Sequence, residues 1–412
     1  MFGNIRKKIS LARLMLDWRV CQWTARPASP DGPSLVLVPC EPWTVMGSRG
    51  DEAMIWSILQ NFRGRCPTGL VTVVVASNTF PQSEDGRRLA AAFNVNYVYA
   101  WRPRRYVANI VRAIREAKAT EIYVLGADCM DGKWSTQTSI TLLAVADIAA
   151  RMSLFSRLTA FSWNEHPTQG VLSAFRRISP NLEVLLRDPV SYERFMQDLP
   201  DVKAKSVADI AFNLQPLYSD AVKHELDKMN AMKERGRFVL GFNLHSMLVT
   251  ADKLDAFIGQ VANGLTHFLV ENAAVDCVLI SHDYRDGGDL EVLRKLSRYL
   301  DADRACLIET FFSAAELKAL TSGLDALFTS RMHLGIAALG MGCPTGAFGY
   351  QGKFAGLFQL LGLPESLIVD PGSVEKDFIS SLRLLIEKKV TCALCINERL
   401  DRTLALSRQN LK

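Results

Sequence analysis

A chain of 412 residues is longer than one hydrophobic core usually serves, so two domains are expected. Apolar residues make up 49% and charged residues 22%, a globular balance that excludes a disordered chain. The formal net charge of +5 is small for this length and lacks the strong basic stripe of a nucleic-acid binder, so no nucleic-acid partner is expected.

Residues 1–32 form a basic, apolar head. Arg6, Lys7, Lys8, Arg13, Arg19 and Arg26 face only Asp17, among Ile9, Leu11, Leu14, Met15, Leu16, Trp18, Val20 and Trp23. Charges at Arg13 and Asp17 cut the apolar run far short of a signal-peptide core or a membrane span. Two readings stay open: a helix packed on the body or a loose leader, and a peripheral helix touching anionic lipid.

An N-terminal Rossmann-like domain is expected over 33–217. Its strands are Ser34–Cys40, Val71–Asn78, Val95–Trp101, Glu121–Asp128, Leu158–Asn164 and Leu182–Asp188, apolar without alternation, as in parallel sheets covered on both faces. Asp51–Arg65, Arg105–Lys118 and Thr138–Met152 carry amphipathic helical patterns between them. After the first strand, Met46-Gly47-Ser48-Arg49-Gly50-Asp51-Glu52-Ala53 is a glycine-containing turn that opens a helix. It is neither GxGxxG nor a Walker loop, and Asp51 and Glu52 also suit the helix dipole. Leu185-Leu186-Arg187-Asp188 places a cation at a strand end, to bind an anion or to form a surface or inter-domain ion pair.

The polar stretch 218–237 reads as a linker, followed by a second Rossmann-like domain over 238–372. Its strands are Phe238–Asn243, Asp276–Asp283, Cys306–Thr310, Ala326–Ser330, Pro344–Gly349 and Ser366–Val369. The helices between them are Lys253–Glu271, Asp289–Leu300, Ala314–Ser322, Met332–Met341 and Lys353–Leu361. His282-Asp283 ends one strand, where a histidine faces the ligand edge or simply packs. Thr329-Ser330-Arg331-Met332-His333 joins a strand to a helix N-terminus, whose unpaired N–H groups suit phosphate or carboxylate. Ser330 can cap, Arg331 can fork onto the anion and His333 can protonate it; the structural reading is a cap, a surface pair and a packed ring. Residues 373–412 read as C-terminal helices. They hold the lone Cys392-x-x-Cys395, without a second pair or histidines at zinc spacing, so no metal is expected. Nine scattered cysteines do not make a secreted disulfide framework; the thiols are expected to be reduced and the compartment cytoplasmic. Two doubly wound α/β domains imply ligand in a cleft between them, at the carboxyl ends of the strands.

Taken in order, these stretches resemble the polysaccharide pyruvyltransferase family over roughly Pro39 to Leu363. The pieces are Gly47-Ser48-Arg49-Gly50-Asp51-Glu52-Ala53, Arg187-Asp188-Pro189-Val190-Ser191, His282-Asp283, Ser330-Arg331-Met332-His333, Gly342-Cys343-Pro344 and Tyr350-Gln351-Gly352-Lys353. One departure stands out: members often carry Gly-Gly after the fourth strand, where this chain reads Leu125-Gly126-Ala127-Asp128. The resemblance implies a GT-B-like pair of Rossmann domains and transfer of pyruvate from phosphoenolpyruvate to sugar hydroxyls, forming a ketal. It implies phosphoenolpyruvate as donor substrate with no cofactor, Arg187 and Arg331 as its ligands, and His333 as catalytic. Ser330, Met332, Gly47 and Lys353 join the substrate-binding set by position, and Asp51 and His282 are alternative acceptors of the hydroxyl proton. The partner is a saccharide acceptor, for which a lipid-linked form at the inner membrane face would suit the basic head. The rival readings are a GT-B nucleotide-sugar glycosyltransferase, with Glu309 as the nearest acid for a ribose, and a non-catalytic assembly protein.

Overall fold

In a computed structural model, residues 2–28, 31–349 and 352–412 are described, 2–9 by backbone alone. They form two compact units. The first comprises Met1–Gly47, Met54–Ile210 and Leu406–Lys412, and the second Ser48–Ala53 and Ala211–Ala405.

The first unit opens with helix α1 (Phe2–Thr24) and strand β1 (Ser34–Val38), followed by α2 (Arg49–Arg65), whose first turn groups with the second unit. Then come β2 (Leu70–Val75), α3 (Glu84–Phe93), β3 (Val95–Tyr99), α4 (Tyr106–Glu116), β4 (Glu121–Val124) and α5 (Thr136–Arg151). The unit continues with β5 (Phe155–Phe161), α6 (Gln169–Phe175), β6 (Val184–Leu186), α7 (Pro189–Asp198) and β7 (Ala204–Ser206). The seven strands are parallel in the order β3-β2-β1-β4-β5-β6-β7, so strand order reverses between β1 and β4. Every residue of β1, β4 and β6 is buried, which explains their unbroken apolar sequence. Phe161, Trp163, Phe175 and Phe195 meet edge-on or tilted and tie β5 to α6 and α7.

α1 is integral to this unit. Leu14, Trp18 and Cys21 join the core, Trp18 Nε1 donates to Asp147 at 2.9 Å, and Asp17 accepts from the backbone N–H groups of Val107 and Ala108. Asp17 thus caps α4, whose own N-cap residue, Arg105, makes no side-chain cap bond. The head is therefore a packed helix rather than a loose leader. Its contact with lipid is a separate question, because its outward face is exposed.

The second unit contains α8 (Asp220–Glu234), β8 (Phe238–Asn243), α9 (Leu254–Glu271), β9 (Val275–Ile280), α10 (Asp289–Ser297), β10 (Ala305–Ile308) and α11 (Ala314–Leu320). It continues with β11 (Ala326–Thr329), α12 (Met332–Gly340), β12 (Thr345–Phe348), α13 (Lys353–Leu361), β13 (Ile368–Val369), α14 (Val374–Glu387) and α15 (Lys389–Arg408). Its parallel sheet runs β10-β9-β8-β11-β12-β13, with the reversal between β8 and β11. Phe242, Phe328, Phe348 and Phe378 pack ring to ring across β8, β11, β12 and α14.

Three sequence boundaries change. The stretch 218–237 holds α8, not an open linker: Ser219 caps it, accepting from Val222 N–H, and Val222 and Met229 bury two turns apart on one face. Residues 406–412 return to the first unit, where Asn410 accepts from the buried Ala160 N–H at 2.7 Å and donates to the Ala208 carbonyl. Ser48–Ala53 leaves the N-terminal domain for the second unit, drawn by the contacts described next.

Candidate functional site

The reversal between β8 and β11 places the carboxyl ends of both strands beside the amino end of α12, the position where doubly wound sheets hold ligands. Thr329 and Ser330 leave β11 fully buried, and their hydroxyls donate to Asn243 Oδ1, both at 3.1 Å. Asn243 Nδ2 in turn donates to Asp289 Oδ2 and to the Ile280 carbonyl, so one amide ties the ends of β8, β9 and β11. Ser330 is thus a buried strand-end link and caps nothing; Arg331 is the N-cap residue of α12, without a side-chain cap bond.

Arg331 is held by acids. Its Nε and Nη2 reach Asp289 Oδ1 at 2.9 and 2.6 Å, and Nη2 reaches Asp283 Oδ2 at 3.1 Å. Asp283 also pairs with Arg285, which with Arg331 holds its carboxyl below the ordinary range despite burial. Burial pushes the Asp289 carboxyl up, and Arg331 and Asn243 oppose that rise. The two arginines and two aspartates balance, so extra pull on an anion must come from elsewhere. The amino ends of α12 and α13, whose N-cap residues Arg331 and Gly352 make no side-chain cap bond, and the buried Lys353, first residue of α13, are suited to supply it.

Three histidines lie in this neighbourhood. His333 stands in the first turn of α12, against the first turn of α2. A Cβ on Gly50 would lie 2.3 Å from His333 Nδ1, so only glycine lets the two helices approach this closely. Beside it, Arg49 donates to the Phe312 carbonyl and Glu52 and lies 5.2 Å over the Tyr284 ring. Asp51 and Ser48 satisfy each other: the Ser48 hydroxyl donates to Asp51 Oδ2 at 2.9 Å, and Ser48 Oγ accepts from Asp51 N–H. His282 is 5% exposed, and its Nδ1 has no hydrogen-bond partner among the described residues. Burial first, then the charges of Arg331 and His333, hold its pKa well below the ordinary value, so the ring is neutral at neutral pH. His245 is also buried and depressed by burial, with Nδ1 accepting from Met247 N–H.

The second unit therefore gathers His333, Asp51, His282, Arg331, Ser330, Met332 and Lys353. Met332, the first residue of α12, is buried and can offer a ligand its backbone N–H. Gly47 and Arg187 belong to the first unit. Arg187, 3% exposed, donates to Ser162 Oγ at 2.7 Å and to Asp209 Oδ2 at 3.0 Å. Its carboxylate is thus Asp209 and not Asp188, which instead caps α7 through Ser191. Tyr350 and Gln351 of the Tyr-x-x-Lys run lie outside the described residues. Glu309 is exposed and paired with Arg294 at 2.7 Å. Asn243, His245 and Asp289 escaped the sequence reading. Asn243 closes the apolar strand 238–243 and His245 follows it by two residues, the same signal that singled out His282; Asp289 stood only as the first residue of the helical segment 289–300.

The sequence model of a family described as polysaccharide pyruvyl transferase matches residues 49–352, well over half of the chain. No curated protein matches the sequence. Among solved structures, a putative UDP-N-acetylglucosamine 2-epimerase from Listeria monocytogenes superposes with a TM-score of 0.57 at 12% identity, covering 88% of this chain and 91% of that one. A glycosyltransferase from Rickettsia africae gives 0.55 at 9% identity, over 93% and 99% of the two chains. The UDP-N-acetylglucosamine 2-epimerase of Neisseria meningitidis, bound to that nucleotide sugar, gives 0.53 at 13%, over 89% and 94%. At such identities the likeness shows the GT-B-like fold and no chemistry.

Proposed function

Since the chain belongs to the polysaccharide pyruvyl transferase family, we propose that it moves the pyruvyl group of phosphoenolpyruvate onto two hydroxyls of a saccharide, closing a ketal. The observation that carries this reading is the pair of histidines in the second unit. His333 stands in the first turn of α12 with Gly50 against its ring, and the neutral His282 keeps an Nδ1 without a hydrogen-bond partner among the described residues. Phosphoenolpyruvate carries phosphate and carboxylate, which suit the amino ends of α12 and α13, Lys353 and the oriented guanidinium of Arg331.

His333, as imidazolium, protonates the methylene carbon and leaves positive charge on C2. A sugar hydroxyl adds to C2, the C2–O bond to phosphate breaks, and a second hydroxyl takes its place. Of the two hydroxyl protons released, one replaces the proton that His333 gave to the methyl group, and the other leaves with phosphate. Asp51 is engaged with Ser48, whereas His282 offers a neutral nitrogen. The proton acceptor in this reading is therefore His282.

Turnover in deuterium oxide tests the chemistry: the ketal methyl should carry one solvent deuteron, and an unlabelled methyl contradicts protonation at carbon. His333→Ala should lower turnover by about 10²–10⁴ while leaving donor binding in place. Normal turnover in that variant removes His333 from the proton transfer.

A further inference from the structure

α1 has two apolar faces. The inner one is packed in the first unit; the outer one carries Leu16, Val20 and Trp23, which are 61%, 44% and 75% exposed. Their spacing of four and three residues puts them on one stripe of the helix. Arg13 and Arg19 stand exposed on the same helix, and Arg26 is exposed just past its end. α4, packed beside α1, adds the exposed Arg105, Arg112 and Arg115, the last donating to the Thr24 carbonyl at the end of α1.

α1 and α4 together carry two carboxylates. Asp17 is turned to the amino end of α4, and Glu116 is exposed near its carboxyl end. Buried Asp147 is consumed by Trp18, Gln22, Arg151 and the Ser179 N–H. The surface is thus an apolar stripe containing an indole, with arginines around it and little acid. That combination fits the boundary between headgroups and acyl chains of an anionic bilayer. Among the described residues no helix is long and apolar enough to cross a membrane, so the contact is peripheral.

We propose that the outer face of α1, with the arginines of α4, docks the protein on an anionic membrane surface, with Trp23 inserted at headgroup depth. This inference does not depend on the donor assignment. It would bring the enzyme to a lipid-held acceptor.

The test uses the full chain with vesicles of phosphatidylcholine alone or mixed with phosphatidylglycerol. Binding is read by co-sedimentation, and insertion by the tryptophan emission wavelength. Binding should require phosphatidylglycerol, fall as salt rises and shift emission to the blue. Replacing Arg13 and Arg19 by Gln should weaken it roughly five-fold per arginine. Replacing Leu16, Val20 and Trp23 by Ser should abolish the blue shift without changing circular dichroism, because these side chains lie outside the core. No binding to anionic vesicles, or binding that the serine variant leaves intact, overturns the proposal. So does light scattering showing that the stripe is covered by a second copy of the chain, or equal capture by a soluble polyanion.

Discussion

At the residue scale, the proposed chemistry rests on close approaches that a sequence motif encodes only by residue type. Gly50 and His333 are far apart in the chain, yet their packing leaves no room for a Cβ. Gly50→Ala should displace the His333 ring and lower turnover about a hundredfold, with the fold retained by circular dichroism. Unchanged turnover would mean that the ring's present position is not the working one. Asp289 fixes Arg331 from full burial. Asp289→Asn should destabilise the protein by about 3–5 kcal/mol in denaturant unfolding, the cost of leaving one member of a buried pair uncompensated. A change below 1 kcal/mol would show that the pair is solvated. Ala127, where family members often carry glycine, adopts φ 46°, in the left-handed region. Ala127→Gly should therefore stabilise by roughly 0.5–1 kcal/mol, and a loss of stability would contradict the strain. Ser-Arg-x-His and His-Asp were legible because they terminate apolar runs. The engagement of Arg331 by two aspartates and of Arg187 by Asp209 was not, because those partners come from other elements.

At the element scale, strand positions were legible; the carboxyl ends of Phe238–Asn243 and Ser366–Val369 were read correctly, and several others were not. The runs Ser34–Cys40 and Glu121–Asp128 were read as strands, but pairing stops at Val38 and Val124, where buried loop residues such as Leu125 and Ala127 keep the sequence apolar. β7, with the sequence Ala-Lys-Ser, is too short and polar to declare itself. α8 hid among charges because it buries only Val222 and Met229. α4 shows how an element can depend on a distant one: its cap is Asp17 of α1. Asp17→Ala should cost about 0.5–2 kcal/mol and speed amide exchange in the first turn of α4. Exchange unchanged there would mean that the cap contributes nothing.

At the scale of the whole molecule, parallel α/β sheets were legible from the alternation of apolar and amphipathic segments, and the polar stretch near the middle divided them into two doubly wound halves. The division of the chain between units was not. Ser48–Ala53 and Leu406–Lys412 exchange sides through tertiary contacts that leave no compositional trace. Buried acidic groups give the molecule a pH signature. Burial raises Cys21 to about 11 and Cys343 to about 12, from 9.0, and Tyr97 and Tyr284 to about 12, from 10.0. Above pH 9 the unfolded chain loses protons that the native state keeps, so stability falls as pH rises. Lys318, lowered by burial to about 8, works the other way as pH rises towards 10.5, but it is one group against four. Denaturant unfolding under reducing conditions should therefore show a falling midpoint above pH 9, and a flat profile would contradict the burial of these groups. We propose that this GT-B-like fold takes phosphoenolpyruvate in place of a nucleotide sugar. The most direct test is thermal unfolding of the wild-type protein with phosphoenolpyruvate and, separately, with UDP, GDP and CMP, since a ligand of the native state raises the midpoint. The midpoint should rise with phosphoenolpyruvate alone; a rise with a nucleotide and none with phosphoenolpyruvate would overturn the assignment.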